Sequence, residues 1–221
     1  LVMPAIFDIV VYGKLEETAA VPLPLHQLSL LVAGVLFLTY LASLVFSLVT
    51  HRALFTPQET EEAHPARLTT VNAIVLLAGA TVLTAIMAEF LVGAIGGATA
   101  ALGMTEFFVG VIVVAIIGNA AEHFSAVVFA RKNKMDLAVT ICTGSSTQIA
   151  LFVAPMLVFA SYLFGSPMSL VFNAFELMAI GLSVLALALV SLDGESNWFE
   201  GLQLVAVYII LAIVFFFVPV R

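Results

Sequence analysis

Charged side chains are scarce in this sequence. Lys, Arg, Asp and Glu make up 10% of its 221 residues, and 63% of the residues are hydrophobic, whereas a soluble globular protein is about a quarter charged and about half apolar. The seven basic residues do not form an extended patch, and the net charge is -7, so we expect no nucleic-acid partner. The composition instead indicates a protein embedded in a lipid bilayer.

Cysteine is almost absent too. The single Cys142 excludes an intrachain disulfide, and its place inside an apolar run favours a small buried hydrophobic side chain. The first residues, LVMPAIFDIVVYG, lack the basic start and the cleavage site of a signal peptide. They are also too few to cross a bilayer. We therefore expect 1–13 to be the end of a transmembrane helix, and the chain to be part of a longer protein.

Long apolar runs dominate the rest of the chain. Each of six runs is long enough to cross about 30 Å of hydrocarbon at about 1.5 Å per residue. In lipid such runs must be helical, because every backbone group needs a partner within the chain. The runs lie near residues 27–50, 68–92, 106–130, 137–164, 172–191 and 198–220. The sequence therefore predicts an all-α polytopic membrane protein, with six full transmembrane helices plus the end of a seventh.

The connections between the runs predict the orientation of the chain. Five of the seven basic residues lie in 51–67 and 131–136, and connections rich in Lys and Arg stay in the cytoplasm. We therefore expect 51–67, 131–136 and 192–197 to be cytoplasmic. Trp198 is expected to anchor the last helix at the membrane interface, after a turn and a helix cap at 193–197.

The 51–67 connection is acidic and contains two prolines. Its glutamates predict either a solvated loop or a weak regulatory cation site on the membrane surface. These residues are Glu59, Glu61 and Glu62.

Two of the apolar runs carry polar residues in their middle. Asn119, Glu122 and His123 are spaced i, i+3 and i+4, so they share one helix face, and Ser145 and Gln148 lie three apart in the next run. Counted from the basic connection between the runs, both sets lie about 12–16 Å deep, near the bilayer midplane. Carboxylate, amide and hydroxyl oxygens suit a hard cation such as Ca²⁺, and they do not suit a structural zinc ion.

Structural roles compete with this interpretation. A carboxylate at the midplane costs roughly 2.5 kcal/mol or more, so Glu122 is expected to be functional, whereas His123 either carries protons or only satisfies Glu122. Glu89 is expected near the outer end of its helix, where gating or proton access is one interpretation. Other hydroxyls are expected to bond neighbouring helices, namely those of Ser125, Thr140 and Thr143.

The polar stretch also resembles a known family. GNAAEHFSAVVFARKNKMDLAVTICTGSSTQIALFVAP, residues 118–155, is similar to the second α-repeat of the cation/proton exchangers within the calcium:cation antiporter superfamily. LTYLASLVFSLVTHRALF, AEFLVGAIG and DGESNWFEGLQLVAVYII agree, so the resemblance covers nearly the whole chain. It implies half of an inverted-repeat exchanger fold, in which 51–67 links the halves and 68–221 forms the second-repeat domain.

The resemblance implies an antiporter with no cofactor, which exchanges Ca²⁺ for H⁺ across a membrane. Glu122 would bind cation and proton alternately, beside His123, with Ser145 and Gln148 next to the cation. One departure is minor, since Ser146 stands where the family usually has alanine. A larger departure is that the sequence has one GN-x-x-E motif, whereas the family has two. We expect the N-terminal half with the first repeat to come from the same protein or from a second chain.

Other functions remain open at this point. The exchanged cation could be Na⁺, K⁺ or Mn²⁺ with H⁺ as the counter-ion, or the pair could be Na⁺ and Ca²⁺. An intramembrane hydrolase would use Ser145 or Ser146 as nucleophile and His123 as base, although Gln148 stands where a G-x-S-x-G elbow needs glycine. A purely structural membrane subunit would tolerate the loss of Glu122.

Overall fold

The computed structural model describes residues 1–12, 23–51, 69–192 and 194–218, and in these ranges the chain is helical without strands. The predicted all-α class is therefore confirmed, while Glu59, Glu61 and Glu62 lie outside the described residues. The helices are α1 Met3–Tyr12, α2 Leu23–Val45, α3 Thr70–Leu102, α4 Glu106–Phe108, α5 Ala115–Gly118, α6 Ala120–Arg131, α7 Met135–Gln148, α8 Ala154–Leu163, α9 Ala174–Val190 and α10 Trp198–Phe217. Three π-helical turns, Phe46–Thr50, Val109–Val114 and Ile149–Val153, continue α2, join α4 to α5 and join α7 to α8.

The predicted count of six membrane spans is not confirmed. Four helical segments in the described ranges are long and apolar enough to cross a membrane, and they are Leu23–Thr50, Thr70–Thr99, Met135–Leu163 and Trp198–Phe217. A fifth is added if the segments on either side of Asn119 count as one span. α9, predicted as the sixth span, has 17 residues, so its length of about 25 Å falls short of the hydrocarbon thickness.

α3 is longer than predicted, and this moves Glu89 away from a helix end. The helix continues through Gly93, Gly96 and Gly97 and stops at Gly103, whose φ of 63° is left-handed. Glu89 lies 13 residues before the last residue of α3, which is about 20 Å along the axis. The prediction that Glu89 lies near the end of its helix is therefore wrong, because these glycines do not interrupt the helix.

The described residues divide into two compact units. The first contains Leu1–Phe55 and Asn119–Leu211. Its core lies where α2 packs on α8, around the buried side chains of Ala33, Val158 and Leu170. The two helices pack closely at this point, because the side chains of Ala33 and Val158 are both fully buried.

A buried hydrogen bond fixes the segment between α8 and α9 onto α2. The fully buried hydroxyl of Ser29 accepts a hydrogen bond from the backbone N–H of Leu170 at 3.0 Å. Aromatic rings extend the contact along α2, with Tyr40 and Phe152 at 5.0 Å and Phe37 and Phe159 at 5.9 Å between ring centroids. This set of contacts holds the α7–α8 segment in place, and α7 carries part of the predicted site.

The second unit contains Thr56–Gly118 and Ala212–Arg221. Its aromatic side chains join the start of α4 to the end of α10, because Phe107 and Phe108 lie edge-to-face with Phe215 and Phe216. The ring centroids are 5.5 and 5.3 Å apart, within the range in which such pairs are favourable.

A tight turn connects α6 to α7. The backbone N–H groups of Lys132, Asn133 and Lys134 donate to carbonyls in the last turn of α6, and Asn133 adopts a left-handed φ of 57°. Asparagine tolerates this conformation better than most residues. The turn therefore makes α6 and α7 an antiparallel pair of packed helices.

Caps define the ends of α9 and α10. Asn173 and Glu176 exchange backbone and side-chain hydrogen bonds at 2.9 and 3.0 Å, and Asn197 and Glu200 do the same before α10. The predicted cap before Trp198 is therefore confirmed.

The single cysteine, Cys142, is exposed on α7. The prediction of a buried Cys142 is wrong, because an apolar run in a membrane helix faces lipid as well as protein.

Candidate cation-binding site

The helix that carries Glu122 begins at the polar motif itself. α5 ends at Gly118, and Asn119 has a non-helical conformation, with φ of -98° and ψ of 15°. The carbonyl of Asn119 then accepts the first backbone hydrogen bond of α6, from the N–H of His123 at 2.9 Å. Glu122 consequently lies in the first turn of α6, where the helix dipole interacts favourably with a negative charge.

Burial along α6 shows which of its faces is turned toward α7. Asn119, Glu122 and Phe129 are partly buried and Ala126 is buried, at spacings of three and four residues, whereas the intervening Phe124 is 72% exposed. α6 packs on α7, so the buried face is the contact face. Glu122 therefore lies on the side of α6 that faces α7.

The corresponding face of α7 carries Ser145. Ala138 is buried, and Ile141 and Ser145 are partly buried, again at spacings of three and four residues. Glu122 lies nine residues before the end of α6 at Arg131, and Ser145 lies ten residues after the start of α7. Both are thus about 14–15 Å from the turn that joins the two helices. The structure brings the carboxylate and this hydroxyl to the same level of the helix pair.

His123 and Gln148 lie outside this contact face. Both side chains are exposed in the described part of the chain, although the sequence spacing places His123 beside Glu122. Among the residues that the structure describes, the imidazole makes no hydrogen bond to the Glu122 carboxylate. The structure therefore gives no support to the view that His123 only satisfies Glu122.

Most hydroxyls on α7 are bonded within their own helix. Thr140, Thr143 and Ser146 donate to the carbonyls of Asp136, Val139 and Cys142, four residues earlier, at 2.7–2.9 Å. The prediction that Thr140 and Thr143 bond neighbouring helices is therefore wrong, since the preceding turn supplies a closer acceptor.

Ser145 differs from these residues. Within the described ranges its hydroxyl makes no hydrogen bond to its own helix, which leaves its oxygen able to bind an ion. Ser146, in contrast, donates its hydroxyl proton to a carbonyl, and no hydrogen bond joins His123 to Ser145 or Ser146 in those ranges. A nucleophile and base pair of the hydrolase type is thus not assembled.

A π-helical turn follows the polar residues and was not predicted. The N–H of Ile149 is shared between the carbonyls of Ser145 and Ser146, and the wider turn runs over Ile149–Val153. Such turns are frequent at functional sites. The sequence signal for it is Pro155, which has no N–H to donate to the preceding turn.

The oxygen set on α6 and α7 is incomplete for a divalent ion. Ca²⁺ takes six to eight oxygen ligands, and Glu122 is the one carboxylate that the helix pair supplies at this level. In the part of the chain that the structure describes, no three His, Cys, Asp or Glu side chains come together as a metal site.

Comparisons with known proteins agree with one another. A family model described as sodium/calcium exchanger protein matches residues 72–217. A Ca²⁺/H⁺ antiporter of Aphanothece halophytica is 42% identical over 100% of this chain and 61% of its own length. The Ca²⁺/H⁺ antiporter ChaA of Bacillus subtilis is 48% identical, over 86% of this chain and 55% of its own length.

Solved structures extend the similarity to the fold. The structure of native YfkE superposes with a TM-score of 0.74 at 40% identity, covering 97% of this chain and 62% of YfkE. A second YfkE structure, described as that of a selenium-substituted Ca²⁺/H⁺ antiporter, gives a TM-score of 0.73. The chain thus spans 55–62% of the length of these relatives.

Proposed function

Because this chain belongs to the sodium/calcium exchanger protein family, we propose that the multi-pass membrane protein carrying it exchanges Ca²⁺ for H⁺. The observation that supports this most directly is the pairing of Glu122 and Ser145 on facing sides of α6 and α7, at one level of the helix pair. A carboxylate placed there needs a cation or a proton to offset its charge in a medium of low dielectric constant. Both ions would compete for the same oxygen atoms.

The cation is bound by oxygens of this helix pair. Glu122 supplies the charge, Ser145 its hydroxyl oxygen and Asn119 an amide oxygen. Gln148, which is exposed outside the contact face, adds its amide oxygen from the edge of the site. His123, exposed at the same level, passes protons between water and Glu122. Protonation of Glu122 removes the charge that holds Ca²⁺. A proton that arrives from one side of the membrane therefore releases the ion to that same side.

A second carboxylate comes from beyond this helix pair. One carboxylate leaves a site with Ca²⁺ at a net charge of +1, whereas two carboxylates neutralise it. Two protons would then replace one Ca²⁺ without changing the charge of the site. The inverted repeat of the family supplies this second carboxylate, from the same protein or from a second chain, and residues 118–155 form the repeat that contains Glu122.

Other acidic residues have auxiliary roles in this proposal. Glu89, in the interior of α3, takes part in gating or proton access because an ionisable side chain in an apolar helix is costly without a function. Glu59, Glu61 and Glu62 form a regulatory cation site in a cytoplasmic linker. The basic turn between α6 and α7 lies on that same side.

Reconstituted transport tests the proposed exchange. The full-length protein that carries this chain is placed in liposomes, a pH gradient is imposed, and Ca²⁺ uptake is followed with a trapped indicator. We expect uptake that requires a lumen more acidic than the outside medium, and that alkalinises the lumen in step with Ca²⁺ entry because each ion enters in exchange for departing protons. Gradient-driven movement of Na⁺, K⁺ or Mn²⁺ in place of Ca²⁺ would reassign the cation, and no coupled movement of any of them would refute exchange.

Two adjacent serines provide a matched test of the ligand set. Ser145→Ala removes a hydroxyl that is free to bind the ion, so we expect the Ca²⁺ concentration for half-maximal uptake to rise about threefold to tenfold. Ser146→Ala removes a hydroxyl that bonds the carbonyl of Cys142, and we expect a change of less than about twofold. Equal effects of the two substitutions would exclude Ser145 as a ligand.

A further inference from the structure

The span that contains α2 ends in a π-helical turn that a histidine closes. The turn runs over Phe46–Thr50, and the backbone of His51 leaves the helix with φ of -126° and ψ of 33°. The backbone N–H of His51 donates to the carbonyl of Phe46 at 2.8 Å, and this bond closes the last turn. None of the residues proposed to bind the cation lies here, so this feature goes beyond the exchange proposed above.

The side chain of His51 folds back onto the same turn. Its ring stacks on the ring of Phe46, with centroids 4.1 Å apart and planes inclined by 25°. Its Nδ1 atom lies 2.9 Å from the hydroxyl oxygen of Thr50, and that hydroxyl donates to the carbonyl of Phe46 at 3.1 Å. One exposed imidazole thus contacts the turn both through its ring and through a hydrogen bond.

These hydrogen bonds determine which ring nitrogen is free to take up a proton. The Thr50 hydroxyl has one proton, and it donates this proton to the Phe46 carbonyl. The Nδ1 atom of His51 is therefore the donor in its contact with Thr50, and this network assigns the tautomer. Nε2 then carries the lone pair. A proton that binds at Nε2 makes the ring an imidazolium without breaking any contact within the turn.

The surroundings favour the charged ring over the neutral one. Carbonyl groups at the C-terminal end of a helix attract a cation such as protonated histidine, and so does the face of an aromatic ring. The turn packs on α2, and Leu23–Thr50 contains no Asp, Glu, Lys or Arg, its titratable side chains being Tyr40 and His26. Arg52 follows in the sequence, outside the described residues, and its charge does not change with pH.

We propose that His51 is a pH-sensitive cap on the end of this span. When Nε2 is protonated, the cation holds the last turn closed through the carbonyl groups and the ring of Phe46, and when the ring is neutral the turn opens more readily. Because the closed turn binds the proton more tightly than the open turn, the turn becomes more stable as the pH falls through the range in which histidine titrates, about pH 6.5. The start of the 51–67 connection is then held more firmly at acidic than at alkaline pH.

Hydrogen–deuterium exchange, followed by mass spectrometry, measures this opening. The full-length protein that carries this chain is placed in detergent micelles, and a peptide covering 46–51 is followed from about pH 5.5 to about pH 8. Protection is the ratio of the intrinsic exchange rate at each pH to the observed rate. We expect the last amides of the turn to be about threefold to tenfold better protected at the acidic end, as for a cation at a helix C-terminus beside an aromatic ring. Peptides from the middle of α2 should show no such change.

Two substitutions of the same residue separate the charge from the side chain. His51→Gln keeps a hydrogen-bond donor but cannot be charged, so protection should be low at both ends of the pH range. His51→Arg places a permanent charge on a planar group that also stacks on aromatic rings, so protection should be high at both ends. His26→Gln removes a histidine at the other end of α2, and it should leave the pH response unchanged.

The exchange of these amides does not depend on Ca²⁺ transport, so this proposal and the proposed function can fail separately. Equal protection of the turn at both ends of the pH range in the unsubstituted protein would overturn the cap. A pH response that survives His51→Gln would overturn it too, and would assign the response to titratable side chains of the 51–67 connection, namely Glu59, Glu61, Glu62 and His64.

Discussion

Replacing Glu122 by glutamine is expected to reduce pH-gradient-driven Ca²⁺ uptake by about a hundredfold or more. The substitution keeps the size of the side chain but removes the charge, and with it the proton-binding oxygen of the proposed site. Removing one partner of a charge interaction in a low-dielectric interior costs about 3–5 kcal/mol, which corresponds to a factor of about one hundred to several thousand in ion affinity. The measurement is the initial rate of Ca²⁺ uptake into proteoliposomes, normalised to the amount of protein inserted.

The same chemical change elsewhere serves as the control for Glu122→Gln. Glu176 accepts a hydrogen bond from the N–H of Asn173 in the cap of α9, and a glutamine oxygen can still accept it. Glu176→Gln should therefore transport within about twofold of the unsubstituted protein. Unchanged uptake in Glu122→Gln, alongside a functional control, would show that the α6–α7 polar residues are structural and that the proposed site is wrong.

Ser29→Ala is expected to be the most destabilising substitution that removes a single oxygen atom from the first unit. Without the hydroxyl, the N–H of Leu170 loses its acceptor in a fully buried position, which costs about 1–3 kcal/mol. For a chain of this size the loss corresponds to a fall in Tm of about 2–12 °C. The measurement is thermal unfolding of the purified protein in detergent.

A second serine on the same span separates this effect from loss of any hydroxyl. Ser47 is partly buried and donates to the exposed carbonyl of Ser43 at 2.9 Å, a contact within its own helix that leaves no buried N–H without an acceptor when the hydroxyl is removed. Ser47→Ala should change the free energy of unfolding by less than about 0.5 kcal/mol. A Tm for Ser29→Ala that is no lower than that of Ser47→Ala would show that the Ser29–Leu170 hydrogen bond does not hold the segment after α8 in place.

The helical class and the family were predictable from the sequence. Long apolar runs in lipid satisfy their backbone hydrogen bonds by forming helices. The motifs GNAAEH and GSSTQ are specific, and the family that they predicted is confirmed. The count of spans was less predictable. The interruption at Asn119 and the short α9 depend on local geometry, and hydropathy alone registers neither.

The candidate site was predictable as a set of residues, and less so as an arrangement. Spacing along a helix puts Asn119, Glu122 and His123 on one broad face, but the position of the neighbouring helix decides which of them is covered. α7 covers Glu122 and leaves His123 exposed. Carbonyls of the preceding turn and polar groups of neighbouring helices also compete for each hydroxyl proton. At Thr140 the preceding turn accepts it, and the residue type alone does not determine this outcome.

The bonds of Thr140, Thr143 and Ser146 to the preceding turn of α7 bear on how this helix can move. Because these three hydroxyls have acceptors in α7 itself, a rotation or axial slide of α7 relative to its neighbours breaks none of these bonds. The resistance to such a slide along this face comes from dispersion contacts, which are individually weak and re-form at each new register. At these three positions, packing and not hydrogen bonds between helices therefore opposes a shift of α7, while the contacts of α8 with α2 hold the other end of the same segment.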